Sequence, residues 1–90
     1  LLSLANPFQR LCVQLLQLSQ HPGNGLAQVD PVPTHQELAI MINASRETVT
    51  RAFQLMFLNE IVVREGNVLT LTRTEYLQDI AAGRVDAPKA

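Results

Sequence analysis

Cysteine and aromatic residues are scarce in this chain. It has one cysteine, Cys12, no tryptophan, one tyrosine and three phenylalanines among 90 residues. A lone cysteine excludes an internal disulfide and a cysteine-cluster metal site, and we expect it to be a buried small hydrophobe in a reducing, cytoplasmic setting. Because hydrophobic residues still make up 47% of the chain, the composition predicts one small domain with an aliphatic core.

The chain also lacks the patterns that mark membrane spans and common catalytic sites. No apolar run is long enough to cross a bilayer, and no basic, signal-like segment begins the chain. There is no glycine-rich phosphate loop and no histidine–cysteine–carboxylate set with plausible spacing. We therefore assign no catalytic residue, metal ligand, cofactor or membrane partner. The chain begins with leucine rather than methionine, and we expect that an upstream part has been removed.

An excess of positive charge is missing as well. Seven basic residues stand against eight acidic ones, which gives a net charge of −1, and residues 34–73 hold four arginines and four glutamates. Nucleic-acid-binding domains are usually basic, so this balance favours a protein-contact module. Helix N-termini nevertheless bind phosphates through backbone N–H groups without a charged side chain. For a DNA-binding role we expect weak binding by the isolated domain and a shallow salt dependence.

The first third of the chain predicts one helix and a loop. Asn6 and Pro7 are typical of an N-cap and a first helical residue, and residues 21–23 predict the end of the helix. The apolar stripe of this helix is predicted to be Phe8, Leu11, Cys12, Leu15 and Leu18. Residues 22–33 are rich in proline and glycine and predict a loop with at most a short strand.

A second and a third helix follow, joined by a tight turn. Thr34 and Glu37 predict a capping box at the start of the second helix. The core side of this helix is predicted to be Leu38, Met41 and Ile42. Asn43 lies at the turn, where asparagine tolerates a left-handed backbone. Ser45 is the predicted N-cap of the third helix, which we expect to end near residue 59.

The third helix separates polar from apolar side chains. One arc of the helical wheel, about 140° wide at about 100° per residue, holds Arg46, Thr50, Glu47 and Arg51. The opposite arc holds the apolar side chains Val49, Ala52, Phe53 and Met56. Arginine can bond guanine O6 and N7 bidentately and glutamate can accept from cytosine N4, so Arg46, Glu47 and Arg51 suit the major groove of DNA. The alternative is a solvated helix face with a Glu47–Arg51 ion pair.

A hairpin pattern follows the third helix directly. Two strand patterns, residues 61–64 and 68–72, flank a glycine-containing turn at residues 65–67. A helix-turn-helix followed by a short hairpin is a winged helix. Arg64 and Asn67 lie where a wing can reach DNA phosphates, and the alternative is that they are ordinary polar residues at a strand edge.

The end of the chain predicts a short helix from Thr74 and a flexible tail over residues 84–90. Leu55, Phe57 and Leu58 make the second half of the third helix apolar nearly all round, so it must be covered, either by the last helix or by a missing upstream domain. The predicted fold class is mostly α (α+β): a winged helix-turn-helix with three core helices, a β-hairpin wing and a short C-terminal helix. The domain is expected to comprise residues 1–83, with the helix-turn-helix at 34–59 and the wing at 61–73.

These motifs resemble the DNA-binding domain of the Crp/Fnr family of bacterial transcription regulators. The resemblance covers about Asn6 to Arg73, and its strongest part is Gln36-Glu37-Leu38-Ala39 followed, at the family's spacing, by Ser45-Arg46-Glu47-Thr48-Val49 and Arg51. It implies that Arg46, Glu47 and Arg51 read the bases of a TGTGA-like half-site. With Thr50 and the two wing residues added, the candidate phosphate contacts are Thr34, His35, Gln36, Ser45, Thr48, Thr50, Arg64 and Asn67.

The resemblance also carries expectations about the complete protein. Members of the family have an upstream effector-binding β-roll and a long dimerisation helix, and both are absent from this sequence. The complete protein is expected to be a homodimer that reads a palindrome with half-sites about one helical turn apart. RNA polymerase is a candidate partner because family members commonly contact it. No effector or cofactor of the parent protein can be assigned from this chain.

The sequence departs from the family pattern at two positions, and it also allows an alternative function. Asn43 replaces the more frequent turn glycine, and Asn67 stands where a basic wing residue is common. The alternative function is a winged-helix protein-contact module without specific DNA binding. The acidic balance favours it, and so does the surface expected around Ile40 and Phe57.

Overall fold

Four helices and three short strands make up the part of the chain that the structure, a computed structural model, describes: residues 6–21 and 25–89. In chain order the elements are α1 (Pro7–Leu18), β1 (Gln28–Val29), α2 (His35–Ile42), α3 (Arg46–Leu58), β2 (Val62–Glu65), β3 (Val68–Leu71) and α4 (Thr74–Ala81). The predicted winged helix-turn-helix fold is confirmed, because α2 and α3 form the helix-turn-helix and the β2–β3 hairpin forms the wing.

Side-chain caps fix where α1 and α2 begin. Asn6 Oδ1 accepts a hydrogen bond from Gln9 N at 2.8 Å. At α2, Glu37 N donates to Thr34 Oγ1 at 3.0 Å, and Thr34 N donates to Glu37 Oε1 at 2.8 Å. Both predicted helix starts are confirmed, and each cap satisfies an N–H group that has no partner inside its own helix.

The end of α1 lies at Leu18, earlier than the predicted end at residues 21–23. Gln20 N donates to Gln28 O at 2.7 Å, and Gln28 N donates to Gln20 O at 2.8 Å. This bridge draws the chain towards the sheet, so the helix cannot continue through it. The predicted end is therefore wrong, and residues 22–24 lie outside the described part of the chain.

Contacts around the turn between α2 and α3 position the third helix. Asn43 has a left-handed backbone with φ 58°, as predicted. Ser45 Oγ accepts a hydrogen bond from Thr48 N at 3.0 Å and so caps α3. From α1, Arg10 Nε donates to Ile42 O at 2.8 Å, which satisfies a carbonyl at the end of α2. The turn is thus anchored by its own backbone and by α1.

The strands form one antiparallel sheet in the order β1-β3-β2. β2 and β3 form the predicted hairpin, with Val62 opposite Leu71 and Gly66 in the turn at φ 59°. β1 pairs with the other edge of β3. The short strand expected within residues 22–33 is therefore present, and it ties this segment to the wing.

An aliphatic core fills the space between the helices and the sheet. Its most deeply buried large side chains include Leu11, Leu15, Leu38, Met56, Ile61, Leu69, Leu71, Leu77 and Ile80. Met41, which was predicted for this core, is exposed, and Ala39 is buried instead. The buried residues Leu38, Ala39 and Ile42 occupy an arc of about 100° on α2, and Met41 falls outside that arc. The prediction for Met41 is therefore wrong.

The last helix packs mainly on α1. Leu77 and Ile80 of α4 are buried, and Gln9 Nε2 donates to Ala81 O at 3.1 Å. Phe57 and Leu58 on α3 remain 42% and 69% exposed. The prediction that the last helix covers the apolar end of α3 is therefore wrong.

Glu60 is a strained position that a single substitution can relieve. Its φ is 57° and its side chain is exposed, and a non-glycine residue in this conformation costs about 1 kcal/mol. We expect Glu60→Gly to raise the free energy of unfolding by about 0.5–1 kcal/mol, because relief of strain exceeds the added entropy of the unfolded chain. Urea denaturation measures this change. Asn43→Gly is the control, and we expect it to change the stability little because asparagine tolerates φ 58°. A loss of stability in Glu60→Gly contradicts the claim that the backbone at Glu60 is strained.

Cys12 is fully buried, as predicted, and burial raises the pKa of its thiol to about 12. The thiolate is the reactive form of cysteine. We expect a disulfide reagent at pH 8 to label Cys12 rapidly in denaturant and only at the rate of unfolding in native buffer. Absorbance of the released thiol measures both rates. Equally fast labelling in the two conditions is the contrary outcome.

Candidate nucleic-acid interface

The leading turns of α3 present Arg46, Glu47 and Arg51 to solvent. The opposite side of the helix is buried and consists of Val49, Ala52, Phe53 and Met56. The predicted separation of polar and apolar faces is confirmed. Within residues 6–21 and 25–89, none of the three charged side chains has a hydrogen bond or ion pair, so the alternative Glu47–Arg51 pair is not formed.

The N-termini of α2 and α3 carry most of the candidate phosphate contacts. Ser45 caps α3, and its hydroxyl donates to Thr48 Oγ1 at 2.8 Å. Thr34 caps α2, and Gln36 is exposed in the first turn of that helix. Each helix N-terminus presents backbone N–H groups and the positive end of the helix dipole to an anion. Phosphates can therefore be held without an excess of basic side chains.

His35, in the first turn of α2, joins α2 to α3. Its ring stacks on Phe53 with a centroid distance of 4.9 Å and an interplanar angle of 5°. Its Nδ1 lies 2.9 Å from Thr50 Oγ1. Sequence reasoning placed His35 near a phosphate but missed both contacts, because no periodicity in the sequence links residue 35 to residues of the next helix.

Positive charges from two other elements act on the His35 ring. Burial lowers the pKa of His35, and the nearby charges of Arg64 and Arg46 lower it further. The lowered pKa makes the neutral imidazole the major form at pH 7. Arg46 belongs to α3 and Arg64 to β2. The starts of α2 and α3 and the wing consequently lie on one side of the molecule.

The two candidate wing contacts differ in what they offer a phosphate. Arg64 is exposed, and its Nε donates to Gly66 O at 2.8 Å. This bond holds the guanidinium against its own turn, while its remaining N–H groups can still donate to a ligand. Asn67 is also exposed, and its backbone carbonyl accepts from Val32 N at 2.8 Å. The wing turn thus offers one charged and one neutral donor.

The C-terminal segment approaches α3 without covering its charged face. Ala87 packs against the core and lines a shallow groove with Arg51 and Leu55. Arg51 nevertheless remains exposed. The bounds of the domain and the flexibility of residues 84–90 stay predictions.

Two other kinds of site are not seen in the part of the chain that the structure describes. It contains no group of three or more histidine, cysteine, aspartate or glutamate side chains placed to hold a metal ion. No helix there combines the length and apolar character needed to cross a bilayer.

Solved structures with a similar fold include several transcription regulators. A CRP/FNR-family regulator from Thermus thermophilus has a TM-score of 0.71 at 24% identity, over 87% of this chain and 41% of that one. The CO-sensing protein from R. rubrum has a TM-score of 0.74 at 21% identity, over 86% and 38%. The CO-dependent transcription factor CooA from Carboxydothermus hydrogenoformans has a TM-score of 0.73 at 20% identity, over 84% and 37%. The TM-scores show that the fold is shared, and at these identities they show the fold alone. The chain spans about two fifths of the length of these proteins.

The sequence also matches a protein family directly. No curated protein sequence matches the chain, but the family model of the Crp-like helix-turn-helix domain matches residues 9–80. The match includes the helix-turn-helix and the whole wing, and it supports a role in DNA-binding transcription regulation. Because it takes in most of the chain, the resemblance seen in the sequence is confirmed, and the chain belongs to the Crp-like helix-turn-helix domain family.

Proposed function

We propose that this domain binds double-stranded DNA sequence-specifically, as a non-enzymatic part of a Crp/Fnr-type transcription regulator. The leading turn of α3 enters the major groove and reads a TGTGA-like half-site through Arg46, Glu47 and Arg51. One observation carries the proposal: these side chains are exposed and, among the described residues, unpaired at the start of a capped helix. An α-helix fits the major groove, where arginine recognises guanine and glutamate recognises cytosine.

Phosphate contacts from the surrounding elements hold α3 in register. The starts of α2 and α3 bind DNA phosphates through protein backbone N–H groups, and the wing binds the sugar-phosphate backbone of the DNA beyond those phosphates. The proposed phosphate-binding side chains are Thr34, His35, Gln36, Ser45, Thr48, Thr50, Arg64 and Asn67. Few of these are charged, so positioning rests mainly on hydrogen bonds and helix dipoles. This composition supports the weak binding and the shallow salt dependence that are expected of the isolated domain.

The complete regulator acts as a cytoplasmic homodimer in this proposal. Two copies of α3 then read the halves of a palindrome about one helical turn, roughly 34 Å, apart. Dimerisation and effector binding belong to the upstream region expected from the family resemblance. RNA polymerase is the proposed protein partner of the DNA-bound dimer.

Fluorescence anisotropy with labelled duplexes tests the proposal. The protein is measured as two copies joined by a flexible linker, with a TGTGA palindrome and a scrambled duplex of identical composition. We expect the palindrome to bind at least about tenfold more tightly, since one well-formed arginine–guanine contact contributes about 1–3 kcal/mol. Equal affinity for both duplexes overturns sequence-specific reading.

A protein-contact role is the second candidate function. Ile40 is 71% exposed and Phe57 42% exposed, and exposed large apolar side chains can contribute to a protein interface. This role requires no preference among DNA sequences. Equal and weak affinity for the palindrome and the scrambled duplex therefore favours it over DNA reading.

A further inference from the structure

Thr50 lies on the charged face of α3, one helical turn after Arg46, and its hydroxyl is already engaged by α2. The contact joins Thr50 Oγ1 to His35 Nδ1 at 2.9 Å, and stacking on Phe53 at 4.9 Å holds the imidazole in place. Both residues are partly exposed. The hydroxyl is thus oriented by a titratable group, on the face of α3 that the proposed function turns towards DNA.

We propose that His35 is a positioning residue that sets whether the Thr50 hydroxyl offers a DNA base an acceptor or a donor, so that base preference at one position depends on pH. This inference rests on the proposed DNA-binding function. It also revises one assignment of that function, because Thr50, named above among the phosphate contacts, becomes a specificity-determining residue controlled from another helix.

The neutral and the protonated imidazole of His35 form different hydrogen bonds with Thr50. A DNA phosphate at the start of α2 accepts from Nε2–H and selects the neutral tautomer whose Nδ1 is an acceptor. The Thr50 hydroxyl then donates to Nδ1 and presents only its oxygen lone pairs, which suit the amino groups of adenine or cytosine. In the imidazolium state Nδ1–H donates to Thr50. The hydroxyl hydrogen is then free for guanine or for thymine O4.

The charges around His35 determine the pH at which the imidazole gains its second proton. Arg46 on α3 and Arg64 on β2 lower the pKa of His35, together with burial. On α2 itself, Glu37 lies two residues away, and one of its carboxylate oxygens accepts from Thr34 N. DNA phosphates neutralise the arginine charges, so the pKa of His35 rises when DNA binds. Affinity for guanine or thymine, which accept a hydrogen bond from the Thr50 hydroxyl, therefore increases as pH falls through the pKa of His35 in the DNA complex.

The test is a base-substitution scan of the TGTGA palindrome at pH 5.5 and pH 8.0. The two linked copies are titrated with symmetric duplexes that carry each of the four bases at each half-site position. At one position we expect the affinity ratio of guanine or thymine to adenine or cytosine to rise about fivefold per half-site at the lower pH, the effect of one hydrogen bond in each half-site. Thr50→Val and His35→Gln abolish this rise, and Thr50→Ser, which keeps the hydroxyl, retains it.

His21 supplies the matched control, because it is exposed and is the only other histidine in the sequence. His21→Gln is expected to keep the pH-dependent ratio. A wild-type ratio that is the same at both pH values overturns the inference, as does a pH-dependent ratio that survives Thr50→Val. Preference for TGTGA over scrambled DNA at pH 8.0 separately reports the proposed function. If that preference is present and the ratio is constant, only the role of His35 is wrong; if the preference is absent, both proposals fail.

Discussion

Phe53→Ala is expected to lower the free energy of unfolding by about 3–5 kcal/mol. Phe53 is 3% exposed and stacks on His35 at 4.9 Å and on Phe57 at 5.8 Å. Truncation leaves a cavity between α2 and α3 and removes both ring contacts. Small domains have about 5–15 kcal/mol of stability, so this loss is a large fraction of the total. Urea denaturation followed by far-UV circular dichroism measures it.

Phe57→Ala is the control for Phe53→Ala on the same helix. The Phe57 ring is 42% exposed, so its removal is expected to change the free energy of unfolding by about 1 kcal/mol or less. Equal stability of wild type and Phe53→Ala means that the buried and exposed faces of α3 are interchanged. In that case Arg46, Glu47 and Arg51 do not lie on the exposed face of α3, and the proposal that they read DNA bases is wrong.

Arg46→Ala and Arg51→Ala are each expected to weaken binding to the TGTGA palindrome by about 1–3 kcal/mol per half-site, or about fivefold to 150-fold. In the proposed complex each substitution removes a bidentate contact with one guanine, so the preference for that base pair is expected to be lost while the other preferences remain. Both side chains are exposed, and unfolding transitions are expected to stay unchanged. Anisotropy titrations with single-base variants of the palindrome measure the effect.

Arg84→Ala is the matched control for the two arginine substitutions. Arg84 carries the same charge but pairs with Asp79 at 2.8 Å beyond the end of α4. We expect it to leave base preference unchanged. Uniform weakening on every duplex in Arg46→Ala or Arg51→Ala, with a salt slope reduced by about one per half-site, shows contact with phosphate alone.

Much of the fold could be predicted because its signals are local. The Thr34–Glu37 capping box and the Ser45 cap require only residues three positions apart, and both form as expected. The left-handed turn at Asn43 likewise depends on the residue itself. The faces of α3 follow from helical periodicity over 13 residues, a length at which the polar and apolar arcs are well separated.

The features that escaped prediction depend on contacts between distant segments. A short strand was expected where β1 lies, but its pairing with β3 was not, because a strand of two residues is too short for alternation to specify a partner. α2 has only eight residues, so its periodicity did not place Met41 correctly. The covering of α3 depended on where α4 packs, and the His35–Thr50 contact joins residues of two helices. No local pattern specifies either arrangement.

The central claim, that the leading turn of α3 reads guanine in the major groove, is tested most directly by atomic substitution in the DNA. Replacing the guanines of the TGTGA palindrome with 7-deazaguanine removes N7, one of the two acceptors for arginine, and preserves Watson–Crick pairing. We predict that the wild-type protein then binds about tenfold more weakly per half-site, while the double variant Arg46→Ala/Arg51→Ala binds both duplexes equally. Unchanged wild-type affinity, or the same loss in wild type and double variant, contradicts the claim.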